Sequence, residues 1–171
     1  VSFDIRSYKK LRMFIHAESS DPAHPIQYGD ATVFIRLGND LDGNYYEYEV
    51  PVKPSVFFNN DPFSIWPEAN DLIIEFAALN DLKIARDQAG YPRNLRYAGT
   101  DADRRIFVKG SPNLSQMRSI MIGIRNPKKE GEEANPWNTD NGLAQCLEVW
   151  VNELRLTDFD QSGGWAAVAR L

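Results

Sequence analysis

Near the end of the chain, Cys146 to Asp160 (CLEVWVNELRLTDFD) runs fifteen residues without a glycine or a proline. Within it Leu147, Val149 and Val151 fall at every second position, and then Leu154 and Leu156 do. Period two is the side-chain period of a β-strand, whereas a helix spaces its apolar residues by three and four. A strand this long must find partners for its backbone, so the run commits the chain to sheet. The alternation slips at Asn152 and Glu153, where a β-bulge or a sharp bend is expected. Rich in Leu and Val and carrying Trp150, the run is expected inside a sheet rather than at its rim.

Shorter runs upstream repeat the pattern. Phe3 and Ile5 begin a short strand, and in the next Leu11, Met13, Ile15 and Ala17 alternate with Arg12, Phe14, His16 and Glu18. Val33, Ile35 and Leu37 share one face of a third strand, with Thr32, Phe34 and Arg36 on the other. NDLDGN (39–44) is a turn by composition, and Tyr45–Val52 answers it to complete a hairpin. There Tyr46, Tyr48, Val50 and Val52 read as core, while Tyr45, Glu47 and Glu49 face solvent. Pro51 and Pro54 set this strand at an edge or make it leave the sheet. Ser55–Asn70 reads as an aromatic loop folded over one end of the core. Leu72, Ile74 and Phe76 alternate as a strand, and a helix of a turn or two follows from Ala77 or Asn80. Ile106 and Val108 mark a brief strand, Ile120, Ile122 and Ile124 a strong one, and 128–141 a charged surface loop. About eight strands, one short helix and no βαβ rhythm predict an all-β fold. The expected architecture is a two-sheet antiparallel sandwich of the jelly-roll or galactose-binding-like kind over residues 1–160. Residues 161–171 lead on toward the next part of a larger protein, and the chain does not open on Met.

At 171 residues the chain fits one domain. Its 19 basic residues are scattered among 24 acidic ones for a net charge of −5, which excludes the clustered basic surface a nucleic-acid partner requires. The lone Cys146 cannot form an internal disulfide and reads as a small buried hydrophobe. His16 and His24 lack zinc-site spacing, and no GxSxG elbow or P-loop occurs. Glu47 and Glu49 are a same-face carboxylate pair, read here as a solvated strand face rather than as paired acids for glycoside chemistry. Asp40, Asp42 and Asn44 place hard oxygen ligands in one turn and are the candidate site for a structural calcium, although the same residues suit a plain hairpin. Tyr45, Trp66 and Trp137 are candidate sugar-stacking rings if they stand exposed on one face.

Several strings, in order through nearly the whole chain, carry a family resemblance: LRMFIHAE (11–18), RLGNDLDGNYYEYEVPV (36–52), IWPEANDL (65–72), PNLSQMRSIMIGIRNP (112–127) and VNELRLTDFDQSGGWAA (151–167). Together they resemble the SprA family, large surface and outer-membrane proteins of Bacteroidetes involved in gliding motility and type IX secretion. The resemblance implies a non-catalytic sandwich domain of a translocon whose giant β-barrel exports folded cargo. It implies a place in the cell envelope, on the periplasmic or extracellular side, without insertion of this segment in the membrane. The implied partners are other parts of the same barrel protein and secretion-system proteins, with cargo or glycan as further possibilities. VNELRL is also similar to the V-D-x-(I/V)-R-(I/L) ending of carbohydrate-binding jelly rolls, with Asn152 where those carry a calcium-supporting aspartate. A carbohydrate-binding module at the cell surface is therefore the alternative reading.

Overall fold

The computed structural model describes residues 4–55, 60–99, 105–126 and 144–160. They form eight strands, β1 (Tyr8–Ser19), β2 (Thr32–Gly38), β3 (Tyr45–Pro51), β4 (Leu72–Glu75), β5 (Tyr97–Ala98), β6 (Arg105–Lys109), β7 (Ser119–Arg125) and β8 (Leu147–Phe159). Two α-helices accompany them, the single-turn α1 (Pro62–Ile65) and α2 (Phe76–Gln88). The strands make two antiparallel sheets, one in the order β4-β1-β8 and the other in the order β5-β6-β3-β2-β7. The fold is an all-β sandwich.

The core lies between the sheets and is built from the period-two rows. Met13 and Ile15 of β1, Val33, Ile35 and Leu37 of β2, Tyr46, Tyr48 and Val50 of β3 and Val108 of β6 are all buried. Burial pushes the Tyr46 hydroxyl up to about 12, because an ionised phenolate would be stripped of water there. The β2–β3 hairpin keeps the register that the alternation demands, with Ile35 opposite Tyr48 and Arg36 opposite Glu47.

Four expectations are corrected. The long strand β8 is not interior: it pairs only with β1 and forms the rim of the smaller sheet, while β1 holds the centre. β1 claims that place because it pairs on both sides, with β4 and with β8, and its inward row is the better buried. The helix is longer than two turns. It starts at Phe76 itself, since Phe76, Leu79, Leu82 and Arg86 make a stripe at helical spacing that is buried along its length. Cys146 precedes β8 at the same parity as the outward Glu148 and Trp150, and it is exposed rather than buried. Ile5 lies in no strand: its backbone N–H donates to Leu114 O at 3.2 Å, and β1 begins only at Tyr8. Phe3 lies outside the described residues.

The bulge occurs where the alternation slips. Arg12 faces Arg155 and Phe14 faces Asn152, so Glu153 and Leu154 together oppose Met13. Glu153 takes a left-handed backbone with φ 54°. The extra residue restores parity, so Val149 and Val151 before it and Leu156 after it oppose the inward Ala17, Ile15 and Leu11.

Arg86 is the one fully buried cation of α2. Its Nη1 donates to Gly110 O at 2.5 Å, and Nε and Nη2 donate to Asp87 at 3.1 and 2.9 Å. This ties the helix to the β6–β7 turn.

Candidate functional site

The outward face of the larger sheet carries the densest constellation of charged side chains among the described residues. Hairpin register sets Arg36 across from Glu47 and Phe34 across from Glu49, while β6 brings Phe107 opposite Glu47 and Arg105 opposite Glu49. Both glutamates are 0% exposed. The expectation of a solvated strand face is thus corrected: guanidinium groups and aromatic rings roof the two carboxylates.

Glu47 Oε2 accepts from Arg36 Nε and Nη2 at 2.9 and 2.6 Å, and its Oε1 accepts from Arg96 and, at 3.3 Å, from Arg125 Nη2. Glu49 accepts from Thr32 Oγ1 at 2.5 Å and Arg125 Nη1 at 2.7 Å, with Arg105 Nη1 3.6 Å away. Each guanidinium also covers a ring. Arg36 stands 4.0 Å from the Tyr45 centroid, Arg96 3.6 Å and Arg105 4.9 Å from Phe107, and Arg125 4.7 Å from Phe34. Phe34 in turn packs against Gly123, where a Cβ would meet its ring at 2.4 Å. Carboxylates bound this way are held in place by their donors. They answer arginines rather than face a substrate: both Glu47 oxygens and Glu49 Oε2 accept from guanidinium groups, and Glu49 Oε1 accepts from the Thr32 hydroxyl.

Sequence reading placed Glu47 and Glu49 but not their arginines. The signal was present: Arg36 and Glu47 are equidistant from the 39–44 turn, and a hairpin with that turn must pair them.

Of the predicted ligand residues, Tyr45 and Trp66 stand apart, and Asp40 and Asn44 meet in their turn. Tyr45 is 5% exposed and its ring face is taken by Arg36. Trp66 lies on the opposite side of the sandwich, edge-on to Phe14 at 6.5 Å and tilted against His16 at 5.6 Å on the outer face of β1. Trp137 lies outside the described residues. Rings on opposite faces cannot form one platform, so Tyr45 and Trp66 are not parts of a common sugar site. Around Trp66, the half-exposed Trp150 joins His16 at 5.3 Å, and Phe63 stands 80% exposed, an aromatic patch that sequence reading had assigned in part to core cover. His16 Nδ1 donates to Ile65 O at 2.7 Å, which orients the ring beneath the patch.

In the 39–44 turn Asp40 and Asn44 meet but Asp42 points away into solvent. Asp40 Oδ1 accepts the backbone N–H groups of Asp42, Gly43 and Asn44 at 3.0, 2.5 and 3.0 Å, and Oδ2 accepts from Asn44 Nδ2 at 2.8 Å. Asn44 Oδ1 accepts from Ser111 N at 2.9 Å, joining this turn to the β6–β7 loop. The Asn44 amide and the turn N–H groups hold the Asp40 carboxyl down at about 2. Both Asp40 oxygens are engaged in closing the turn. Among the described residues no three His, Cys, Asp or Glu side chains gather as a metal site. Asn152 Oδ1, at the bulge, accepts from Glu153 N at 2.9 Å.

Fold and face together define a β-sandwich domain whose buried ions neutralise one another and whose aromatic rings are divided between two opposite surfaces. A search of curated proteins returns no match. The profile of one family, described as motility related/secretion protein, matches residues 1–171, and the chain belongs to that family, SprA_N. This is a motility and secretion family, not a known enzyme family. No helix among the described residues is long and apolar enough to cross a membrane, which says nothing of strands crossing as a barrel.

Proposed function

We propose that this chain is a non-catalytic structural and interaction domain of an outer-membrane type IX secretion translocon that also serves gliding motility. Membership of the SprA_N family over residues 1–171 is the observation that carries this reading. It is supported by the charged layer over Glu47 and Glu49, whose ions are spent on one another. The domain would sit in the cell envelope, on the periplasmic or extracellular side, against other parts of its parent protein. In-frame deletion of residues 1–160 from the parent, with export of type IX cargo measured in the culture medium, tests it. Export should fall at least tenfold, or the barrel should disappear from the outer membrane; unchanged export with normal barrel abundance would overturn the reading. Glycan binding keeps one observation in its favour, the cleft of about 290 Å³ lined by Phe14, Phe63, Trp66, Asn152 and Glu153. Saturable signals on a glycan array, abolished by Trp66→Ala, would establish that function instead.

A further inference from the structure

Among the described residues, the inter-sheet core is sealed along one side and open along the other. A three-stranded sheet is narrower than a five-stranded one by about two strand spacings, roughly 10 Å. The helix α2, itself about 10 Å across with its side chains, fills that gap beside β4, where it packs on β1, β4 and β6. On the far side the outermost strands are β7 and β8, and among the described residues no element lies between them. Ile120, Ile122 and Ile124 of β7 remain 53, 37 and 51% exposed, and Val151 and Leu154 of β8 remain 43 and 41% exposed. The three isoleucines sit opposite Leu37, Ile35 and Val33, which are buried. They are core positions left uncovered. Between the strands lies a cleft of about 460 Å³ with Leu11, Leu37 and Met117 in its lining and Arg118 at its rim.

The two open edges differ. β8 is bulged at Glu153 and carries Glu148, Glu153, Arg155 and Asp158 along its length, the devices that keep an edge strand from recruiting another. β7 has no bulge, and its one charge, Arg125, stands at its end and turns to Glu47 and Glu49. Its ladder with β2 is regular over all seven residues, and Ser119–Ile124 contains no Pro, Lys or other charge. An unguarded edge beside an uncovered apolar row is a template for an added strand. Arg118, the residue before β7, is exposed, and its guanidinium has no hydrogen bond or ion pair among the described residues.

We propose that the β7 edge accepts an extended polypeptide segment of a partner protein as a sixth strand of the larger sheet. The segment would fill the cleft with apolar side chains at alternate positions and set a carboxylate against Arg118. An acyl chain could occupy the cleft but would leave the β7 backbone unanswered. A second copy pairing β7 to β7 would offer Arg118 no carboxylate, since Ser119–Arg125 contains none. The inference rests on the interaction-domain reading and gives that reading a surface.

Panning a randomised phage-displayed decapeptide library on the whole chain, with the Ile122→Asp variant as counter-selection, tests it. Enriched peptides should show Val, Ile, Leu or Phe at every second position and an Asp or Glu toward one end. As synthetic peptides they should bind at least tenfold more weakly to Arg118→Glu, and their binding should vanish when alternate backbone amides are N-methylated. Circular dichroism of both variants checks that they fold, since both positions are solvent-exposed. No enrichment over the counter-selection, enriched peptides without alternation, or affinity indifferent to N-methylation would overturn the proposal. So would an Ile122-dependent dimer in sedimentation, or displacement of the peptide by dodecanoate with full retention of acyl binding in Arg118→Glu. None of these results depends on the export assay, so this surface can fail while the translocon reading stands.

Discussion

Replacing Glu47 with Gln removes the charge from the centre of the buried ionic layer while keeping its shape. Each carboxylate oxygen accepts from two guanidinium donors, Oε2 from Arg36 twice and Oε1 from Arg96 and Arg125. Whichever way the amide turns, its NH₂ confronts two donors, so two charge-assisted hydrogen bonds are lost at roughly 1.5–3 kcal/mol each. The arginines keep some access to water, with 17–21% of their side-chain surface exposed, which lets them recover part of that loss. The expected destabilisation is about 3–4 kcal/mol, in the range for breaking a buried pair from one side. Urea unfolding followed by circular dichroism reads it as a fall in midpoint of about 1.5–2 M, for a slope of about 2 kcal/mol per M. Arg36→Met should cost at least as much, about 3–5 kcal/mol, because it removes both donors to Glu47 Oε2 together with the hydrogen bond to Leu41 O. A Glu47→Gln loss under about 1 kcal/mol would refute the reasoning, since the carboxylate would then behave as a surface ion.

Further outcomes follow from the same contacts. Gly123→Ala should cost about 1–3 kcal/mol in thermal or urea unfolding, because the new methyl group displaces the Phe34 ring and with it the Arg125 stack. Ile15→Ala, in the centre of the core, should cost about 2–5 kcal/mol. Asp40 has a folded value near 2, below its ordinary 3.8, so its contribution is fully present above pH 3.8 and is lost as pH falls toward 2. The gap in melting temperature between the wild type and Asp40→Ala should therefore narrow between pH 4 and 2, and a gap constant over that window would contradict the assignment. EDTA should leave the melting temperature unchanged at pH 7, because the Asp40 oxygens are taken by the turn. A fall reversed by Ca²⁺ and absent in Asp42→Ala would restore the calcium site.

The strands were legible because alternation reports one half-buried face, and the bulge was legible because parity breaks at Asn152 and Glu153. Position within a sheet was not. Nothing in the composition of β8 shows that β1 pairs on both sides while β8 pairs on one, since that depends on where β4 docks, some sixty residues from β1 in sequence. The helix α2 was under-read because Phe76 continues the period-two row of Leu72 and Ile74 while it also opens the buried helical stripe of Leu79, Leu82 and, at its end, Arg86. Arg86 is buried because Gly110 O and Asp87 meet its guanidinium. Glu47 and Glu49 were misplaced because a carboxylate reads as solvent-facing unless its cations are known, and Arg96, Arg105 and Arg125 come from three distant segments. The 39–44 turn was legible as a turn, and the Asp40 carboxylate accepts from its backbone N–H groups.

Native-state hydrogen exchange on the whole chain addresses the asymmetry of the sandwich most directly. Amides of β1, paired on both sides and covered by the core, should exchange slowest, at the rate set by global unfolding. Alternate amides of β7, those pointing away from β2, should exchange at least about a hundredfold faster. Protection of every β7 amide to the level of β1, in the absence of any partner, would mean that the edge is already occupied and that the open seam does not exist.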